Sequence, residues 1–123
     1  MPKRVLIAED SSVIQNLTKK ILQQLDYSID TVKNGEAVLK KMDSSTYDII
    51  LMDINMPKMD GMECARQIRA LENADKSATP IFAITGNANN YSDQEFKEAG
   101  INEYLPKPLD FDNLVTLVHN YTS

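Results

Sequence analysis

The sequence predicts an α/β fold, a parallel sheet sandwiched between two helix layers, in one domain spanning residues 1–123. Three observations carry this reading. Segments of strand length alternate five times with segments of helical period. The strand runs are apolar almost throughout, so they need cover on both faces, as parallel strands joined by crossover helices do. No internal repeat, low-complexity tract or linker interrupts the pattern.

"RVLIA" (Arg4 to Ala8) is the first strand, and Ser11 and Ser12 can cap the helix behind it. In that helix Val13, Leu17, Ile21 and Leu25 recur on one face. "SIDTV" (Ser28 to Val32) alternates with period two, and Asn34-Gly35 signals a turn into a short helix marked by Val38 and Met42. "DIILM" (Asp48 to Met52) is the third strand. The Pro57/Gly61 loop follows it, then a helix carrying Ala65, Ile68 and Leu71. The polar connection "ENADKSAT" leads to "PIFAIT" (Pro80 to Thr85), the fourth strand. Ser92 and Glu95 have capping-box spacing for a fourth helix, and Gly100 stands where it should stop. "EYL" (Glu103 to Leu105) is a short fifth strand, and Asp110 can cap a last helix carrying Leu114, Leu117, Val118 and Tyr121.

Composition narrows the function. Apolar residues make up 42% and charged residues 25%, an ordinary globular balance. The net charge of −5 argues against a nucleic-acid-binding face, which is normally basic. No run has the length of a membrane span or of a signal-peptide core. With Cys64 as the only cysteine, no intrachain disulfide can form. A protein of the cytoplasm is the expectation.

In open α/β sheets ligands bind beyond the carboxyl ends of the strands. Glu9 and Asp10 follow the first strand, Asp53 follows the third, Thr85 ends the fourth, and Lys107-Pro108 follows the fifth. Two carboxylates about 5 Å apart repel by roughly 3 kcal/mol at an effective dielectric of about 20, so something positive must hold them together. An all-oxygen donor set favours a hard divalent cation, and magnesium suits one or two carboxylates plus phosphate oxygen. A carboxylate, magnesium, a lysine and a hydroxyl are the parts that phosphoryl transfer requires, with Asp53 as nucleophile. Singly, an acid at a strand end is as readily a helix cap and a lysine plain surface charge. Their joint placement is what carries the reading.

These stretches also carry a resemblance. "VLIAEDS", "DIILMDINMPKMDG", "PIFAITGNA" and "YLPKP" resemble the four signature stretches of the receiver domain of two-component response regulators, nearly end to end along the chain. The resemblance implies a flavodoxin-like, doubly wound five-stranded sheet of order 2-1-3-4-5 with helices on both faces. It implies Asp53 as phosphoacceptor and Mg2+ held by Glu9, Asp10, Asp53 and the Asn55 backbone carbonyl. Thr85 and Lys107 would grip the phosphoryl group, and a cis peptide would precede Pro108. Thr85 and Tyr104 would form the conformational switch, and Asn55 and Asn87 would tune hydrolysis. The implied donor is a histidine kinase or a histidine phosphotransfer protein. The implied output is a downstream protein partner on the fourth helix, fifth strand and last helix. Such a protein is a signalling module rather than an enzyme, catalysing only its own phosphorylation and dephosphorylation.

Other readings compete. A magnesium-dependent phosphatase with an aspartyl-phosphate intermediate, of the haloacid-dehalogenase-like kind, would carry Asp-x-Asp after its first strand; here Glu9 and Asp10 are adjacent. A flavodoxin-like nucleotide module would need a Ser/Thr/Gly-rich loop there instead of two acids. A phosphorelay carrier without output of its own is a third alternative. The chain is expected to be either a stand-alone regulator or the receiver of a longer protein. Cys64 reads as a buried helix residue and His119 as a helix-end cation. Met56, Met59 and Met62 read as apolar lining, and Asn89, Asn90 and Tyr91 as a polar loop.

Overall fold

A computed structural model describes residues 3–86 and 91–123. The elements run β1 (Arg4–Ala8), α1 (Ser12–Gln24), β2 (Ser28–Val32), α2 (Gly35–Ser44), β3 (Ile49–Asp53), α3 (Gly61–Arg69), α4 (Ala74–Ser77), β4 (Ile81–Thr85), α5 (Asp93–Ala99), β5 (Glu103–Pro106) and α6 (Phe111–Thr122). The five strands form one parallel sheet of order β2-β1-β3-β4-β5, as the resemblance implies.

Alternation along the strands divides the core in two. Leu6, Ala8, Ile50, Met52, Ile81 and Ala83 pack with residues of α2, α3 and α5. Val5, Ile7, Ile49, Leu51, Phe82 and Ile84 pack with Leu22 of α1 and Leu114 and Val118 of α6. β3 and β4 are buried along their whole length. That accounts for strand sequences apolar on both faces.

Besides small shifts of element ends (α3 stops at Arg69, before Leu71, β4 starts at Ile81 and β5 reaches Pro106), the structure departs from the sequence reading in three places. Of the stripe on α1, Val13, Leu17 and Leu25 face solvent, and the buried positions are Gln15, Thr18 and Leu22. A strong apolar period can mark an outer face when the inner one carries polar side chains with assigned partners. The connection before β4 holds a one-turn helix, α4, because the Asn73 side chain accepts from the Asp75 and Lys76 N–H groups. β3 is displaced by one residue, so that Asp53 is its last member rather than the residue after it.

At the end of the sheet opposite the acids, Arg69 ties four segments together. Its guanidinium donates to the carbonyls of Gly100 (2.6 and 3.0 Å), Ser77 (2.7 Å) and Thr79 (2.7 Å) and to Asn102 Oδ1 (2.9 Å). Gly100 closes α5 in the left-handed region at φ 89°, where a Cβ would lie 2.5 Å from Arg69 Cγ. Arg69→Met keeps the stem but leaves these carbonyls unpaired. It is expected to cost about 2–4 kcal/mol in urea unfolding with little change in m-value. A loss below about 1 kcal/mol would mean the contacts are solvated equivalents.

Candidate functional site

The order of the strands reverses between β1 and β3, so their carboxyl ends open a crevice. Asp53 stands in it, 1% exposed, between β1 and β4. The chain beyond it folds back tightly. Lys58 takes a positive φ of 69°, the Met59 N–H donates to the Pro57 carbonyl, and Asp60 caps α3. Gly61 is needed here, since a Cβ would sit 2.9 Å from the Asp53 carbonyl oxygen. Both carboxylate oxygens of Asp53 are occupied: the Asn55 N–H donates to Oδ1 (3.0 Å) and Lys107 Nζ to Oδ2 (3.1 Å). Lys107 precedes Pro108 through a cis peptide.

The turn after β1 presents the other two acids. Glu9 N–H donates to the Val32 carbonyl at the end of β2, and Gln15 Nε2 donates to the carbonyls of both Glu9 (3.1 Å) and Val32 (2.9 Å). Gln15 therefore pins the turn that carries the acids. The sequence reading passed over it because the adjacent apolar stripe on α1 masks the buried spacing of Gln15, Thr18 and Leu22. Glu9 Oε2 accepts from the Ser11 N–H (3.1 Å), whereas the buried Glu9 Oε1 has no hydrogen-bond partner among the described residues. Burial pushes the Glu9 pKa up to about 7, the Ser11 N–H opposes this, and the neighbouring Asp53 adds to the rise.

Carboxylate oxygens of Glu9, Asp10 and Asp53 all lie within 4.8 Å of one another. Asp10 is at the exposed rim and the other two are buried. Three acids at that spacing, with one buried oxygen unpartnered, make a donor set for a hard cation and fit magnesium. Lys107 reaches the same cluster. Thr85, also 1% exposed, ends β4 one residue beyond the register partner of Asp53.

Of the remaining candidates, Asn55 borders this cluster through its N–H on Asp53, and the others lie apart from it or outside the described residues. Tyr104 is on edge strand β5, 43% exposed, with its ring stacked on Phe96. Asn55 is exposed in the loop after Asp53, and Asn87, Asn89 and Asn90 lie outside the described residues. His119 is exposed on α6. Met56 and Met62 are buried in the α2/α3/α5 core with Met59 against it, and Cys64 is a buried free thiol whose pKa burial pushes up to about 12.

Residues 5–119 match the family model of the response regulator receiver domain. Two-component response regulator 24 of Arabidopsis thaliana is 36% identical over 93% of this chain and 80% of its own length. Probable histidine kinase 1 of Oryza sativa subsp. indica is 31% identical over 96% of this chain, which spans only 15% of that protein. The receiver domain of sensor histidine kinase PA1611 from Pseudomonas aeruginosa PAO1 superposes with a TM-score of 0.88 at 31% identity, covering 98% of both chains. That structure has a magnesium ion in its active-site cleft.

The Glu9 environment has a consequence for stability. Below pH 4.5, its ordinary value, the carboxyl is protonated whether folded or unfolded. Between 4.5 and about 7 only the unfolded chain releases the proton, so the metal-free protein loses stability as pH rises through that window. The expected loss is up to about 3 kcal/mol, levelling off above it. Urea unfolding of wild type and Glu9→Gln across this window checks it: the substitution should flatten the slope, and an unchanged slope would assign it elsewhere.

Proposed function

The chain belongs to the family of response regulator receiver domains, signalling modules of two-component phosphorelays, and we propose that Asp53 is its phosphoacceptor in a Mg2+-dependent transfer. The observation that supports this most directly is the Asp53 carboxylate itself. It is buried, fixed through both oxygens by Asn55 N–H and Lys107, and set beside Glu9, whose Oε1 has no hydrogen-bond partner among the described residues.

A phosphorylated histidine on a histidine kinase or a histidine phosphotransfer protein is the donor. An Asp53 oxygen attacks phosphorus, a new P–O bond forms, and the P–N bond to the imidazole breaks with its electron pair returning to the ring. Glu9, Asp10, Asp53 and the Asn55 carbonyl would hold Mg2+, which would supply positive charge to offset that on the phosphoryl oxygens. Lys107, already 3.1 Å from Asp53, shifts its ammonium from the carboxylate to a phosphoryl oxygen. Thr85 offers its hydroxyl to another. Burial keeps bulk water from the acyl phosphate, Asn55 borders the path of the water that hydrolyses it, and Asn87, outside the described residues, is expected from the sequence to tune the same step.

The occupied state then acts on the surface of α5, β5 and α6, where a downstream protein partner docks. A phosphoryl group can favour one conformation only through contacts that differ between conformations. Thr85 supplies such a contact and Tyr104 reports it. Moving such an equilibrium from 1:99 to 99:1 takes about 5.5 kcal/mol of differential binding, within reach of a few charge-assisted contacts.

Asp53→Asn keeps shape but removes the nucleophile, so labelling from a small phosphodonor with Mg2+ should vanish. Full-stoichiometry labelling of that variant would remove Asp53 from the role. Asn55→Lys should change the dephosphorylation rate of the wild-type-like phosphoprotein severalfold; an unchanged rate would rule out the proposed water path. For the output face, NMR shifts on adding beryllofluoride and Mg2+ should extend beyond the strand ends to α5, β5 and α6. Shifts confined to the surroundings of Asp53 would leave a carrier without a switch.

A further inference from the structure

Three rings form a ladder along the α5 side of the sheet. Phe96 and Tyr104 have centroids 4.8 Å apart and planes 13° apart, and Tyr91 lies 5.7 Å from Phe96 at 52°. Phe96 is 3% exposed and fixed in the core, whereas Tyr104 is 43% exposed. The Tyr104 ring thus leans on an immobile wall. Asp93 lies three residues before Phe96 on the same helix face, and its carboxylate beside the Tyr104 hydroxyl is the main cause of that phenol's raised pKa. One turn of α5 therefore stacks Phe96 on the ring and, through Asp93, lines one surface pocket with it.

The inward side is prepared differently. Strand alternation puts Tyr104 on the same sheet face as its register partner Ala83 and as Thr85, two residues further along β4. Ala83 carries only a methyl group, so the approach from Tyr104 towards Thr85 meets little bulk.

We propose that Phe96, seconded by Asp93, is the positioning residue that holds Tyr104 outward. The proposal rests on the receiver reading above and adds to it what sets the resting balance of the switch. A stacked aromatic pair at this spacing changes the outward-to-inward ratio by roughly two- to tenfold. Any ligand at Asp53 that favours the inward ring gains apparent affinity by the same factor when the stack is lost.

The test follows the Tyr104 χ1 population by NMR three-bond couplings in wild type, Phe96→Leu and Asp93→Asn. Each protein, with Mg2+ present, is then titrated with beryllofluoride. Phe96→Leu should raise the inward fraction and lower the half-saturating beryllofluoride concentration roughly two- to tenfold. Asp93→Asn should act in the same direction by a smaller factor; because Asp93 is exposed, it carries the test even where Phe96→Leu fails to fold. Unchanged Tyr104 populations and midpoints, with only a lowered Tm for Phe96→Leu, would make Phe96 a core-packing residue and overturn the proposal. Failure of the wild type to bind beryllofluoride would instead overturn Asp53 as acceptor, and the ligand-free populations would still decide on Phe96.

Discussion

Three carboxylates crowded within 4.8 Å at the ends of β1 and β3 are the constraint on which the rest of the molecule turns. Water cannot relieve this repulsion at Glu9 and Asp53, because both are buried. It is offset by one ammonium, by N–H groups of Ser11 and Asn55, and by protonation of Glu9, whose pKa rises to about 7. A site so under-compensated suits a divalent cation, as the proposed function requires. The fold tolerates the arrangement because the sheet around it is anchored elsewhere.

That anchoring is distributed unevenly. The central strands bury both faces, and the Arg69 clasp secures the far end of β4 and the close of α5. Gln15 secures the near end, joining β1, β2 and α1 through two carbonyls. Each device uses a polar side chain to satisfy backbone carbonyls that the strand and helix ends leave open. The acids are held by Gln15 at the Glu9 carbonyl and, at their carboxylates, by the Ser11 and Asn55 N–H groups and the Lys107 ammonium.

Much of this was legible in the sequence, and for a physical reason. Strand length, capping residues and turn chemistry are local, so the five strands, the Ser92 capping box and the Gly100 stop could be read directly. Strand-end residues converge in any sheet of this topology, so Glu9, Asp10, Asp53, Thr85 and Lys107 could be singled out without coordinates. What local pattern could not convey was which face of α1 turns inward. The apolar stripe Val13, Leu17 and Leu25 outweighed Gln15 and Thr18 on any hydropathy reading, yet Gln15 is buried because its amide has two carbonyls waiting across the turn. Arg69 escaped notice likewise: its partners come from 8 to 33 residues away. The stack of Phe96 on Tyr104 joins a helix to an edge strand and has no sequence period at all.

The two edges of the sheet explain where movement is available. On edge strand β2, Asp30 accepts from the Tyr47 hydroxyl at 2.6 Å and from Arg4 at 3.1 Å, and Arg4 lies over the Tyr47 ring. The tyrosine hydroxyl, chiefly, holds the Asp30 carboxyl below its ordinary range, so this edge is cross-linked by charge. The other edge, β5, has four residues and ends in Pro106, which offers no N–H. Its exposed residue Tyr104 is held by a ring contact and a facing carboxylate, interactions that can be exchanged without uncovering a buried charge. Asp53 has β1 and its edge neighbour β2 on one side and β4 leading to β5 on the other, and at β5 Glu103 accepts from the Tyr121 hydroxyl at 2.8 Å, a tie that leaves the Tyr104 side chain unclasped by it. In the proposed function a change at Asp53 therefore reaches α5, β5 and α6 through exchangeable contacts at Tyr104 rather than through a buried charge.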